Sequence, residues 1–266
     1  MRHLFSHLAA VLAFAIPFFF LATPARAEEA KPFVVGMEMA YPPFEMTDPA
    51  GKPTGVSVDL AEALGATLKR PVKFENIPYP GLIPALKTGK IDCIISSMTA
   101  TKERSRTVAF SEPYLQTGLC LLVHRDAPIR SIDDVNAPGR SVAVKIGTTG
   151  HLYATRHLDK ARLLVLDKES ECVLEVTQGK AECFIYDQMS VFTHWQKNPQ
   201  TTRALLAPFQ KEGWAVALRK GDEPLLREVN RFIADFRKEG GFEKLGDKWL
   251  PKQKAAFGEQ GIPFVF

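Results

Sequence analysis

Cysteine is scarce in this chain. The four in 266 residues, Cys93, Cys120, Cys172 and Cys183, include no C-x-x-C spacing of a zinc site or redox motif. The six histidines are scattered, so the sequence writes out no metal-ligand set and no nucleophile–base pair, and no cofactor is expected. Lys and Arg never gather into a basic block, which argues against a nucleic-acid partner. Beyond the N-terminus there is no apolar run long enough to cross a bilayer.

The one long apolar run, Leu8–Ala22, follows Arg2 and precedes Thr23-Pro-Ala-Arg-Ala27. A charged start, an apolar stretch and small residues before Glu28 describe a secretory leader over residues 1–27, cut after Ala27. Pro17 and Pro24 interrupt the run and argue against a permanent anchor. No Cys follows the cut, so a lipid anchor is not expected. The leader carries Arg2 and Arg26 and no acid, so the net charge falls from +4 for the whole chain to about +2. About 240 residues remain, enough for two lobes of ordinary domain size. An exported chain permits disulfides. The four Cys allow three pairings; Cys172–Cys183 is favoured if one bridge forms, and buried thiols are the alternative, since all four sit among apolar residues.

The stretch Ile91–Tyr114, IDCIISSMTATKERSRTVAFSEPY, opens as an apolar strand and turns to hydroxyls at Ser96, Ser97, Thr99 and Thr101, with Arg104 close behind. A strand that ends in hydroxyls and enters a helical turn offers backbone N–H groups to an anion. A guanidinium beside them matches a carboxylate fork to fork. A capped helix with a surface arginine would look the same, so the stretch alone leaves both readings open.

Around it, strand and helix patterns alternate. Phe33–Met37 reads as a strand, emptying into a Pro-interrupted loop, Glu38–Glu45. Val56–Leu68 carries a helical apolar stripe with Ser57 as its N-cap. Val72–Ile77 is a strand, and Leu82–Thr88 is a helix stopped by Gly89. Strands at Gly118–Val123, Val142–Ile146, Leu163–Leu166, Cys183–Tyr186 and Trp214–Leu218 follow, with a helix after Gly147-Thr-Thr-Gly150 running through Leu158 and others at Cys172–Gln178, Pro224–Lys238 and Phe242–Trp249. This order predicts an α/β fold in which ligands bind beyond the C-terminal ends of parallel strands. A tail from Pro251, bearing Phe257, Phe264 and Phe266, is expected to dock.

An internal echo sharpens this. LKTGKIDCIISS (Leu86–Ser97) aligns without gaps on VTQGKAECFIYD (Val176–Asp187), superposing Ser97 on Asp187 at the ends of equivalent strands. Two similar lobes facing across a cleft would bring these ends to opposite walls, with crossings at Gly118–Val123 and Trp214–Leu218. Lobe one would be residues 28–118 and 219–250, lobe two 119–218, and the tail 251–266. The first wall would then present Tyr41, Tyr79, Ser96, Ser97, Met98, Thr99 and Arg104, and the second Lys145, Thr148, Thr149 and Asp187. Arg104 and the hydroxyls suit a carboxylate, and Asp187, an acceptor when ionised, suits an ammonium. A molecule carrying both on one carbon is an α-amino acid. Phe44 reads as packing rather than ligand contact.

The chain resembles the bacterial polar-amino-acid-binding proteins of ABC importers, solute-binding protein family 3. The pieces that carry the resemblance are YPPFE at Tyr41–Glu45, GVSVDLAEAL at Gly55–Leu64, GLIPALKTGKIDCIISSMTATKER at Gly81–Arg104, FSEPY at Phe110–Tyr114, VAVKIGTTG at Val142–Gly150 and GKAECFIYD at Gly179–Asp187. The resemblance implies a two-lobed type II binding-protein fold, each lobe a doubly wound, mostly parallel sheet. It implies that Arg104, Thr99 and the Thr149 amide grip the ligand's carboxylate, and that Asp187 and the Ser97 region hold its amino group. Tyr41 and Tyr79 would flank its side chain, and Glu38 and Lys145 would touch its distal end. The protein would be a periplasmic monomer that hands a polar or basic amino acid to a membrane permease. Residues 188–212 match the family weakly and those after Pro251 not at all.

Glu38 in the side-chain subsite favours a cationic ligand and Lys145 a polar or acidic one; if the two pair with each other, neither indication counts. Two other functional classes are weighed. A dehydratase-like enzyme on the same fold would need an acid–base pair from Glu38, Lys145 or Asp187, and a ligand-carrying sensor would report to a membrane receptor. No enzymatic activity is expected.

Overall fold

Apolar strands and amphipathic helices alternate along two stretches of the chain, and each stretch builds its own five-stranded sheet. The computed structural model describes residues 30–259, 261–264 and 266; the leader and its cut after Ala27 lie outside them. The first lobe contains β1 (Phe33–Met37), a small hairpin of β2 (Met46–Thr47) and β3 (Pro53–Thr54), α1 (Val56–Thr67), β4 (Val72–Asn76), α2 (Leu82–Lys87), β5 (Cys93–Ile94) and β6 (Val108–Phe110). The second contains β7 (Leu115–His124), β8 (Ser141–Lys145), α3 (Thr149–His157), β9 (Arg162–Leu166), α4 (Glu169–Thr177), β10 (Cys183–Asp187), α5 (Gln188–Lys197) and β11 (Thr202–Trp214). The chain returns to the first lobe with β12 (Ala217–Arg219), α6 (Glu223–Lys238) and α7 (Gly241–Trp249), and α8 (Pro251–Glu259) follows.

The strand orders are β4-β1-β5-β12-β6 and β9-β8-β10-β7-β11. In each sheet the first three strands run parallel and the fourth runs antiparallel to them. Both sheets are therefore mixed, and the antiparallel strand in each is the one that links the lobes. The internal echo has a structural counterpart: β5 and β10 hold the same place in the two orders, each preceded by a helix that ends in a left-handed glycine, Gly89 at φ 76° and Gly179 at φ 68°. A side chain there would strain the turn, so the repeated glycine is a geometric requirement.

The first crossing lies a few residues before the expected Gly118–Val123, and the second falls within the expected Trp214–Leu218. β6 belongs to the first sheet and β7 to the second, so the chain crosses over residues 111–114 and returns at 215–216. Residues 115–118 thus belong with lobe two and 217–218 with lobe one. Gly118–Val123 reads as continuously apolar because it lies between β10 and β11 in the sheet, buried on both faces. The two crossing segments are laced together: Ser111 N–H donates to Val216 O at 2.9 Å, Val216 N–H to Ser111 Oγ at 3.0 Å, and Tyr114 N–H to Trp214 O at 2.9 Å.

Among the other expectations, some are corrected and some hold. The N-cap of α1 is Gly55, not Ser57, whose buried hydroxyl instead donates to Glu45 at 2.6 Å. All four cysteines are free and buried. Cys172 and Cys183 do not pair because they pack into different clusters: Cys172 lies with Val176, Ala181 and Phe184, and Cys183 with Val142 and Ile185. Residues 188–212 form α5 and the long β11. The tail docks: Phe257, fully buried, packs edge-on against Phe192 of α5 at 5.3 Å, and Phe266 stacks on Phe242 of α7 at 5.6 Å. Among the described residues no helix is long and apolar enough to cross a membrane.

Candidate functional site

The cleft between the lobes is where the strand ends meet. β1 ends at Met37, and the loop beyond it carries Glu38, whose N–H donates to Ser96 Oγ at 3.0 Å and whose Oε1 accepts from Tyr79 N–H at 3.2 Å. Glu38 Oε2 is paired with Lys145 Nζ from the end of β8 in the other lobe. Lys145 is only 2% exposed, and its ammonium lies 5.5 Å from the centre of the Tyr79 ring. The two residues whose charges point to different ligands are thus each other's partner.

A few residues on, Tyr41 stacks on Phe44 at 5.3 Å and meets Trp214 and Tyr186 edge-on. Its hydroxyl donates to Asp187 Oδ1 at 2.7 Å, again from lobe to lobe. Asp187 ends β10 and caps α5: Oδ1 also accepts from Met189 N–H at 3.0 Å and Ser190 N–H at 3.1 Å. None of the three bonds uses Oδ2. Burial pushes the Asp187 carboxyl up to about 7, opposed by the Tyr41 hydrogen bond.

After β5 the chain turns sharply. Ser97 sits at φ 47°, a left-handed conformation uncommon for a residue with a Cβ. Its hydroxyl donates to Glu45 at 3.1 Å. Ser96 reaches the same carboxyl at 3.4 Å. Glu45 is 1% exposed, and burial pushes its pKa up to about 8 although Ser57, Ser97, Lys145 and Ser96 favour the charged form.

Thr99 donates its hydroxyl to Glu212 Oε2 at 3.0 Å. Arg104 opens a short 3₁₀ turn, Arg104–Arg106, and is itself buried. Its Nη1 donates to Thr99 O at 2.8 Å and its Nη2 crosses the cleft to Gly147 O at 3.0 Å. From the second lobe, Thr148 caps α3 and Thr149 begins it. Gly150 lets that helix close onto β10: a Cβ there would lie 2.6 Å from Ile185 O.

These groups surround a cavity of about 30 Å³, measured as the space open to the centre of a water molecule. That is room for a water or two. Charged side chains, Glu38, Lys145 and Asp187 among them, line the cavity together with hydroxyls and aromatic rings. Of the residues picked out in the sequence, Glu38, Tyr41, Tyr79, Ser96, Ser97, Thr99, Lys145, Thr148, Thr149 and Asp187 line the cavity. Met98 does not. It is buried with Ile77, Leu82 and Ile94 in a lobe-one core cluster, so its part is packing. Arg104 is not among the lining residues, but it is hydrogen-bonded to Thr99, which is. Glu45, Leu119, Tyr186, Glu212 and Trp214 also line the cavity and were not singled out. Glu45 and Tyr186 lay inside or beside quoted motifs, whereas Glu212 falls in a stretch without a motif. Among the described residues no group of His, Cys, Asp and Glu could hold a metal ion.

Known proteins resemble this chain in sequence and fold. The model of the bacterial extracellular solute-binding proteins, family 3, matches residues 33–252, and the chain belongs to that family. Among its relatives, the L-arginine-binding protein of Pseudomonas aeruginosa is 32% identical over 244 residues, covering 86% of this chain and 92% of the relative. The L-cystine-binding protein TcyJ of Escherichia coli is 28% identical over 227 residues, covering 85% of each. Among solved structures, the ancestral amino-acid-binding protein AncCDT-1, a precursor of cyclohexadienyl dehydratase, superposes with a TM-score of 0.76 at 37% identity, covering 82% of this chain and 95% of that one. The two-lobed architecture is thus that of the type II amino-acid-binding proteins. Each of these three is named as a binding protein, including the dehydratase precursor.

Proposed function

We propose that this protein captures an α-amino acid with a polar or basic side chain between its two lobes and delivers it to the permease of an ABC importer. One observation supports the reading: Asp187, whose Oδ2 takes no part in the three bonds above, lines the same small cavity as Thr99 and Thr149, and Arg104 is hydrogen-bonded to Thr99 O. An acceptor on one side and hydroxyl and guanidinium donors on the other match the ammonium and carboxylate of a zwitterion. The relatives' names, arginine and cystine among them, agree on the ligand class and differ on the side chain. Lobe-to-lobe contacts at Glu38–Lys145, Tyr41–Asp187 and Arg104–Gly147 hold the cleft shut, so a ligand enters by opening about the crossings at 111–114 and 215–216. The working form in this reading is a periplasmic monomer, exported behind residues 1–27 and free of them after cleavage at Ala27.

Native mass spectrometry of the purified protein, followed by a thermal-shift screen of the twenty amino acids, tests this. A bound ligand raises the melting temperature with ln(1 + [L]/Kd). A shift confined to a few polar or basic amino acids is expected. A protein that no amino acid shifts, and that carries none when purified, would overturn the reading.

A further inference from the structure

Glu212 stands in the cavity wall without a place in the function just described. It lies on β11, two residues before the chain crosses back to the first lobe, and is 6% exposed. Its Oε2 accepts the Thr99 hydroxyl at 3.0 Å, and its Oε1 accepts Gln210 Nε2 at 3.1 Å. Burial pushes its carboxyl above the ordinary range, while Thr149, Thr99, Gln210 and Arg104 pull it back. Those neighbours include the three residues assigned to the ligand's carboxylate. A threonine hydroxyl has one proton to donate, so Thr99 cannot donate to Glu212 and to a ligand carboxylate together. Two ionised carboxylates sharing that corner would also repel in a weakly screened site.

We propose that Glu212 is an internal competitor for the ligand's carboxylate, holding the Thr99 hydroxyl in the closed, unliganded protein and releasing it when an amino acid binds. The proposal rests on the reading of Thr99, Thr149 and Arg104 as the carboxylate subsite. It makes Glu212 a residue that sets affinity: the intramolecular contact must break before the intermolecular one forms. Glu212→Gln removes the charge, and its amide can turn an N–H toward Thr99, which frees the hydroxyl proton for a ligand. Glu212→Ala removes the contact altogether.

Calorimetry on the full chain with L-arginine, L-lysine, L-histidine and L-glutamine, for the wild type and both variants, tests this, with melting curves to verify folding. The probe that binds wild type is expected to bind both variants roughly five- to thirtyfold more tightly, the factor that one modest interaction supplies. Agmatine, which is arginine without its carboxylate, is expected to show no such gain. Unchanged or weaker amino-acid binding in the variants, or an equal gain for agmatine, would overturn the competitor role while leaving the amino-acid reading standing. Failure of every probe on all three proteins would remove that reading and this inference with it.

Discussion

Glu38 and Lys145 neutralise each other across the cleft: the ammonium, 2% exposed, is paired with a carboxylate from the opposite lobe. Removing one partner leaves a buried charge alone, so Glu38→Gln is expected to destabilise the closed protein by roughly 3–5 kcal/mol. The double variant Glu38→Gln/Lys145→Met leaves no orphan charge and should recover most of that loss. Urea denaturation of the two single variants and the double variant measures the coupling. Additive losses would mean that the pair does not act as a unit.

Glu45 makes stability depend on pH in a direction opposite to an ordinary paired carboxylate. Its carboxyl is raised from 4.5 to about 8, so the native state keeps a proton that the unfolded chain has already lost. The unfolded state then binds fewer protons, and stability falls as pH rises. The contribution is full below pH 4.5 and declines up to about 8. Asp187, raised from 3.8 to about 7, adds a decline of the same sign over its own window. Glu45→Gln stays neutral and keeps a partner for Ser57, Ser96 and Ser97, so its stability should fall less between about pH 5 and about pH 8. Denaturant midpoints at the two pH values test this; a wild-type slope in the variant would remove Glu45 as the cause.

Much of this site could be read from the chain because its residues sit where elements end. Asp187 follows a recognisable strand and caps the next helix, and Thr148 caps α3, so local rules place both. The echo placed β5 and β10 at equivalent positions because each copy needs the same left-handed glycine before its strand. Contacts between residues far apart in sequence were not legible. Glu45 and Glu212 are acids in unremarkable contexts, and only folding brings them to serines 12 to 52 residues away and to a threonine 113 away. Met98 failed in the other direction: it stands between two cavity residues, yet its side chain points into the lobe-one core. The first crossing was displaced because an apolar run marks a buried strand without marking where the chain leaves the sheet.

Arg104 should decide binding. Its guanidinium already spends two donors on Thr99 O and Gly147 O, so it is held in place before any ligand arrives. Arg104→Ala is expected to weaken amino-acid binding at least about thirtyfold, since a buried carboxylate loses its charged partner. Arg104→Lys should not restore it, because an ammonium is a point charge without the planar fork. Calorimetry with the amino acid found by the thermal-shift screen measures both; near-native affinity in Arg104→Ala would move the carboxylate subsite elsewhere.

Phe257 ties the tail into both lobes. The helix it belongs to, α8, leaves α7 of the first lobe, and the ring, fully buried, packs against Phe192 of α5 in the second. A ring removed from such a position leaves a cavity, and Phe257→Ala is expected to cost about 3–5 kcal/mol. A helix merely resting on the surface would lose about 0.5 kcal/mol or less on the same substitution. Because the contact spans the lobes, the loss should come with easier opening, seen as a larger radius of gyration in solution scattering. A variant that melts with the wild type and scatters like it would show that α8 does not hold the lobes together.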